Sequence, residues 1–184
     1  MADSQTGRIL AVVIRSGRFG YAAFEVNGRL LDFGITGFHS RVEARQRVRG
    51  LLKRFYPAIL SINAGGTRGP HRKWRTSSIM RMIRMESQRA SVQVVVTSGR
   101  NLQAFFHRHE KTNKYDCALL ITSWFPEVAW KLPPRPKFYD PEPWIMASFD
   151  AIILGAAHLN LTTRTHRDAQ SNASSDPFAG PSVA

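Results

Sequence analysis

The sequence predicts an α/β fold whose mixed five-stranded sheet opens with an antiparallel three-strand meander and is flanked by helices. Three observations carry this. Residues Arg8 to Gly34, RILAVVIRSGRFGYAAFEVNGRLLDFG, read as three strands in immediate succession. Two further short apolar runs, Ala58–Ile62 and Val92–Thr97, have the length of buried strands. Stretches of helical periodicity separate and follow them.

The elements follow in chain order. Ile9, Leu10, Val12, Val13 and Ile14 form a nearly continuous apolar run, the pattern of a strand covered on both faces. Gly17 breaks it, and Arg18 to Val26 resumes with Phe19, Tyr21 and Phe24, residues suited to a sheet. Asn27-Gly28 is a strong hairpin signal, since a type I′ turn needs positive φ at both central positions. Leu30 to Ile35 returns as the third strand. Gly37 and Ser40 lead into a helix, Arg41 to Phe55, with Val48, Leu51, Leu52 and Phe55 as its apolar stripe. Arg41, Arg45, Arg49 and Lys53 recur every four residues along another face. A row of cations at that spacing repels itself and needs an anion or open solvent.

Pro57 marks the turn into the fourth strand. Asn63 to Lys73, NAGGTRGPHRK, reads as a basic, Gly-rich loop. It lacks the GKS or GKT ending of a phosphate-binding loop. Thr76, Ser77 or Ser78 is placed to cap the next helix, running to about Ser87 with Ile79, Met80, Met82 and Ile83 inward. A Met-rich stripe is more often core than site. Val92–Thr97 is the fifth strand, and Ser98 caps a helix carrying Leu102, Phe105 and Phe106. His107 and His109 are two apart, so on a helix they do not face one another as metal ligands. Thr112 or Asn113 opens a further helix with Tyr115, Leu119 and Phe125 for packing and Cys117 as core.

Leu132–Pro143, LPPRPKFYDPEP, is too rich in proline for regular helix. Trp144 or Ile145 to Leu159 is a strongly apolar helix in which Asp150 is the exception, either a solvent-facing turn or a metal ligand. From Thr162 small and polar residues dominate to Ala184, which suggests a domain over residues 8–160 and a disordered tail over 161–184.

Composition narrows the function. The chain carries 26 Lys and Arg against 13 acids, a formal charge of +13 over 184 residues. Between Arg41 and Arg100 there are 14 basic residues and two acids, Glu43 and Glu86. Clustering of this kind is the electrostatic footprint expected for a phosphate backbone. The plainer explanation is an arginine-rich surface set by genome composition, since Arg outnumbers Lys 20 to 6. No apolar run is long enough to span a bilayer, so no membrane association is expected. Met1–Thr6 lacks the apolar core of a secretory signal. The lone Cys117 excludes an internal disulfide and favours a reducing, cytoplasmic setting.

The order of three strands, helix, strand, helix, strand, then helices ending in an apolar one with an embedded Asp resembles the ribonuclease H-like arrangement. This version resembles the RuvC-type Holliday-junction resolvases. ILAVVIRSGRFGYAAFE, PAILSIN and SFDAIILGAAH carry the likeness, and KYDCALLITSWFPEVAWKLPPRPKFYDPEPWIMASFDA resembles the C-terminal half of a RuvC-like bacterial family. It spans roughly residues 8 to 160.

The resemblance implies carboxylates on the first strand, at the end of the fourth strand and on the final helix. Together they hold two divalent ions about 4 Å apart that activate water and stabilise the leaving oxygen. This sequence departs from that pattern. Val13 stands at the first-strand position, Asn63 at the fourth-strand position, and Ala147 where a companion to Asp150 belongs. Asp150 is the one family acid retained. An apolar Val13 removes the cost of an unpaired buried carboxylate.

The leading expectation is a catalytically inactive binder of nucleic acid, with DNA as partner and no cofactor. Its grip would come from Arg41, Arg45, Arg49, Arg68, Arg72, Lys73 and Arg75 on phosphates, and Trp74 serves either as a stacking surface or as core. A second reading is a magnesium- or manganese-dependent endonuclease using Asp150 with Asp32, Glu25 or Glu142. A third is a protein-interaction module with incidental charge. The resolvases it resembles act as dimers, which implies a possible homodimer.

Overall fold

The computed structural model describes residues 7–63, 70–98, 102, 104–105, 113–135, 137 and 141–173, without the side chains of 70–76 and 160–173. The chain runs β1 (Ile9–Arg15), β2 (Arg18–Phe24), β3 (Leu30–Gly37), α1 (Arg41–Phe55), β4 (Ile59–Asn63), α2 (Pro70–Arg89) and β5 (Gln93–Thr97). It continues through α3 (Lys114–Trp124), a 3-10 turn over Pro126–Lys131 and α4 (Met146–Ala173). The sheet order is β3-β2-β1-β4-β5. β1 pairs antiparallel with β2 and parallel with β4, so the meander and the crossover strands meet at β1. This is the mixed five-stranded sheet that the strand pattern and the ribonuclease H-like resemblance imply.

The apolar run of β1 is explained by cover on both sides. Leu10, Val12 and Ile14 face α1 and α2, where they pack with Val48, Leu52, Phe55, Met82 and Ile83. Ile9, Ala11 and Val13 face α3 and α4, with Cys117, Ile121, Phe149 and Ile152. The period-2 alternation of the strand thus feeds two cores instead of one core and solvent.

Helix ends match their chemistry. The Ser40 hydroxyl accepts the backbone N–H of Glu43 at 3.1 Å, while the Glu43 carboxylate accepts the N–H of His39 at 2.7 Å. Asn113 caps α3, its side-chain oxygen accepting from Asp116 N at 2.9 Å.

Several expectations are corrected. The β2–β3 hairpin is not a two-residue type I′ turn, because Gly28 (φ 90°) has positive φ but Asn27 does not. Gly28 N–H bonds to Glu25 O and Glu25 N–H to Arg29 O, both at 2.9 Å, which is a three-residue loop closed by a glycine bulge. α2 begins at Pro70, not near Thr76, so Pro70–Lys73 are helical and not loop. Pro suits the first helical position, where its missing N–H has no partner to lose, and nothing in HRKWRTSS interrupts the helix. In α3 the buried residues are Cys117, Ala118 and Ile121, while Leu119 is exposed. α4 continues to Ala173, so residues 161–173, expected to be disordered, are helical; no Gly or Pro stands between Thr162 and Ala173 to end the helix. Phe106, His107, His109 and Thr112 lie outside the described residues, as does 174–184. Among the described residues no helix is long and apolar enough to cross a membrane.

α4 lies across β2 because Gly20 has no side chain. A Cβ there would stand 1.9 Å from the carbonyl oxygen of Ala147. That clash is with backbone, so a substitution must displace the helix. Gly20→Ala is expected to cost about 3 kcal/mol of stability, read by urea unfolding. A variant as stable as the parent would mean that α4 can slide on the sheet.

Candidate functional site

The register of the central strands assembles the site. Val13 pairs with Gly20 on β2 and with Asn63 on β4, and Asn63 pairs with Thr97 on β5. This row places Val13 beside Asn63 on the face covered by α4. The first turn of α4 carries Ala147 over Gly20, and Asp150 follows one turn later on the same helix. The four positions singled out in the sequence therefore do converge.

Their chemistry is not that of a metal cradle. Val13 is 3% exposed and packs in the α3–α4 core. The Asn63 side-chain oxygen is buried and has no hydrogen-bond partner among the described residues. Asp150 has side-chain exposure of 14% and is ion-paired with Arg15. Arg15 follows Val13 by two positions, so the strand period puts it on the same face. Lys114, at the start of α3, stands 3.6 Å from the same Asp150 oxygen. Glu142 completes the group: it accepts from Lys114 at 2.9 and 3.0 Å and lies 3.6 Å from Arg15.

Two cations and two carboxylates thus form a closed network with no net charge. Hard divalent ions require several oxygen ligands, charged ones by preference. Here the oxygen donors are the Asn63 amide and the carboxylates of Asp150 and Glu142, and both carboxylates already carry Arg15 and Lys114. Among the described residues no cluster of three His, Cys, Asp or Glu is arranged to hold a metal. The donor set does not fit a two-ion centre.

The other acids weighed as relocated ligands separate in space. Asp32 pairs in register with Ala23, on the α1 face of the sheet, and forms an ion pair with Arg54 at 2.9 Å. Tyr21, whose hydroxyl donates to Asp32 at 3.4 Å, has its pKa raised by burial and then by the Asp32 charge. Glu25 sits in the β2–β3 loop, at the opposite end of β1 from Val13, where it accepts from Asn27 at 3.2 Å. Only Glu142 reaches Asp150's surroundings.

The basic row on α1 finds its anion inside the protein. Glu86, on α2, has side-chain exposure of only 3% and is ringed by Arg49 at 2.6 Å, Arg89 at 3.0 Å and Arg45 at 3.3 Å. The hydrogen bond from Arg49 holds its carboxyl below the usual range against the desolvation that would raise it, and the charges of Arg49, Arg89 and Arg45 add to the lowering. Arg45 and Arg49, expected on phosphates, are therefore anchored at Glu86 while remaining 40% and 49% exposed. Arg41 is exposed at the start of α1. Arg68 lies outside the described residues; Arg72, Lys73, Trp74 and Arg75 lie on the first turns of α2, and their side chains are outside the described set. Sequence reasoning missed Arg15 and Lys114 as partners of Asp150. The two-residue step from Val13 to Arg15 was a usable signal, whereas nothing local connects Lys114 to α4.

No protein-family model matches the sequence, and no curated protein matches it. The structure is similar to RuvC of T. thermophilus in complex with a Holliday junction substrate, with TM-score 0.60 and 15% identity over 83% of this chain and 92% of that one. It is similar to the yeast mitochondrial Holliday junction resolvase, with TM-score 0.63 and 11% identity over 84% of this chain and 78% of that one. The fowlpox virus Holliday junction resolvase matches with TM-score 0.52 and 14% identity over 83% of this chain and 98% of the viral one. The fold is ribonuclease H-like and of the RuvC type.

Proposed function

We propose that this RuvC-type fold serves as a nucleic-acid-binding protein that holds DNA, branched DNA included, without cutting it. The observation that carries the reading is the engagement of Asp150 by Arg15 and Lys114, which fills with protein cations the place where a nuclease of this fold would load metal. Val13 and Asn63 support it, since neither brings a charge to the neighbouring positions. The partner is supported by the formal charge of +13 and by similarity to resolvases, one of them in complex with a junction. The grip is electrostatic: each phosphate neutralised by Arg or Lys releases a condensed counterion, so affinity falls with salt. Arg41, Arg45 and Arg49 on α1 and Arg68, Arg72, Lys73 and Arg75 at and beyond the β4–α2 connection are the proposed phosphate-facing set.

The test is one four-way DNA junction, assayed for binding at 50 and 200 mM salt and for cleavage in manganese. Binding weakened by about 10³-fold between the two salts, the scale for about six phosphate contacts, with no cleavage, is the expected result. Glu142 beside Asp150 is the one observation favouring a nuclease. Cleavage abolished by Asp150→Asn would establish that alternative and overturn ours.

A further inference from the structure

We infer a second binding site, for one unpaired nucleotide, in the cleft between the C-terminal ends of α1 and α2, with Tyr56 as its stacking surface. The inference rests on the reading that the chain binds nucleic acid, but it concerns the far end of the sheet. Pro57 lines the cleft, and the six residues from it to Asn63 at the far end of β4 span up to about 20 Å of extended chain at about 3.3 Å per residue, so the cleft is separate from the Asp150 network.

Tyr56 is the unusual residue. It follows the last residue of α1 with φ 44° and ψ 54°, the left-handed conformation, and its N–H bonds back to Leu52 O at 3.0 Å. That position favours Gly or Asn because a Cβ is crowded there. Packing does not repay the strain, for the side chain is 78% exposed. A bulky aromatic held in a strained conformation and left in solvent is the pattern of a residue kept for what it touches.

The cleft beside it has a volume of about 580 Å³, with Leu52, Val92 and Lys53 in its lining and Arg49 and Arg89 on Glu86. Cations at helix C-termini have an ordinary purpose, to answer the helix dipoles. Two C-termini supply together only about one negative charge, and Glu86 supplies one more. Arg49 and Arg89 line the cleft, and with Lys53 they bring three positive charges, so about one remains for an outside anion. Glu86 is the positioning residue: by holding three guanidinium groups it lowers the entropy lost when they meet a phosphate. A flat aromatic ring beside fixed guanidinium groups and Lys53 suits one chemistry, a nucleobase with its phosphate.

The experiment measures fluorescence anisotropy of the full chain with a labelled ten-nucleotide oligothymidylate and, separately, with a fully paired four-way junction. Tyr56→Ala is expected to weaken the oligothymidylate complex about 10-fold, within the range for loss of one stacked base. Tyr56→Phe keeps the ring and should bind as the parent does; Lys53→Ala should weaken the complex and flatten its salt dependence. Junction affinity should change less than about twofold, since paired bases offer no free face to Tyr56. Thymidine monophosphate is added as competitor to separate sources: displacement of the oligomer at micromolar concentration would assign the cleft to free nucleotides, and no displacement would assign it to a strand. Single-strand affinity unchanged by Tyr56→Ala, or an equal loss on the junction, overturns the inference while leaving the proposed function standing. A parent protein that binds neither probe overturns both.

Discussion

Glu86→Gln is expected to destabilise the protein by about 3 kcal/mol at pH 7, the lower end of the cost of breaking a buried charge cluster by removing one partner. The substitution leaves Arg45, Arg49 and Arg89 facing an amide that cannot balance them. The lower end applies because the three arginines are 40%, 49% and 58% exposed and can turn toward solvent. In a chain of this size the loss corresponds to a fall in Tm of about 6–12 °C. Its pH dependence has a definite sign. The Glu86 carboxyl is held below the 4.5 of an ordinary glutamate by the Arg49 hydrogen bond. Its stabilisation is therefore complete above the unfolded value and is lost as pH falls through the lower folded one. Urea unfolding of parent and variant from pH 7 to pH 3 should show a constant difference down to about 4.5 and a shrinking one below it. Equal stability at pH 7 would mean that the cluster is solvent-screened and that Glu86 orients nothing.

The second large effect is expected at Val13, where the resemblance described above implies an acid. Val13→Asp should cost about 3 kcal/mol or more at neutral pH, because it buries a carboxylate without a dedicated partner. Arg15 is committed to Asp150, and the neighbouring Asn63 offers only an amide. Burial raises the pKa of such an acid, so the deficit should grow from the unfolded value upward and be fullest above the folded one. Acidification would thus narrow the gap to the parent. The decisive addition is millimolar manganese at pH 7. A metal that binds only the folded variant would raise its Tm; we expect no rise, since Asp150 remains ion-paired. A rise of several degrees would mean that Arg15 and Lys114 yield to metal and that the fold is one substitution from a loaded site.

Much of this architecture is legible in the chain because its signals are local. Seven residues of mostly apolar character in β1, the Gly28 turn, the Ser40-x-x-Glu43 cap and the apolar stripe of α1 each act within a few positions. The errors arose where two local signals competed. Around Gly69 and Pro70 the density of Gly and charge suggested a loop, but proline at a first helical position starts a helix. At Asn27-Gly28 the dipeptide marked the hairpin correctly, while Val26 and Asn27 together set a different loop length. The site was half legible. The strand register that joins Val13 to Asn63, and the helix that sets Ala147 over Gly20, follow from the fold resemblance, so the departures from its acid pattern could be named. What replaced them could not, since Lys114 and Glu142 are separated by 28 positions and meet only through tertiary packing. The same holds for the arginine row, whose repulsion was evident from spacing but whose anion, Glu86, lies 37 residues from Arg49.

The network of Arg15, Lys114, Glu142 and Asp150 has one more consequence, for how the protein meets a phosphate. A cluster of bare carboxylates repels a nucleic-acid backbone until divalent ions neutralise it, so a metal-loaded nuclease grips its substrate differently in a chelator and in magnesium. Here the neutralising charges are covalently part of the chain and are always present. This end of the sheet is electrically quiet at any divalent concentration, and the attraction of the surrounding arginines is not reduced by it. On the proposed reading, DNA retention would then need no divalent ion to neutralise this end of the sheet, and a chelator would not weaken it.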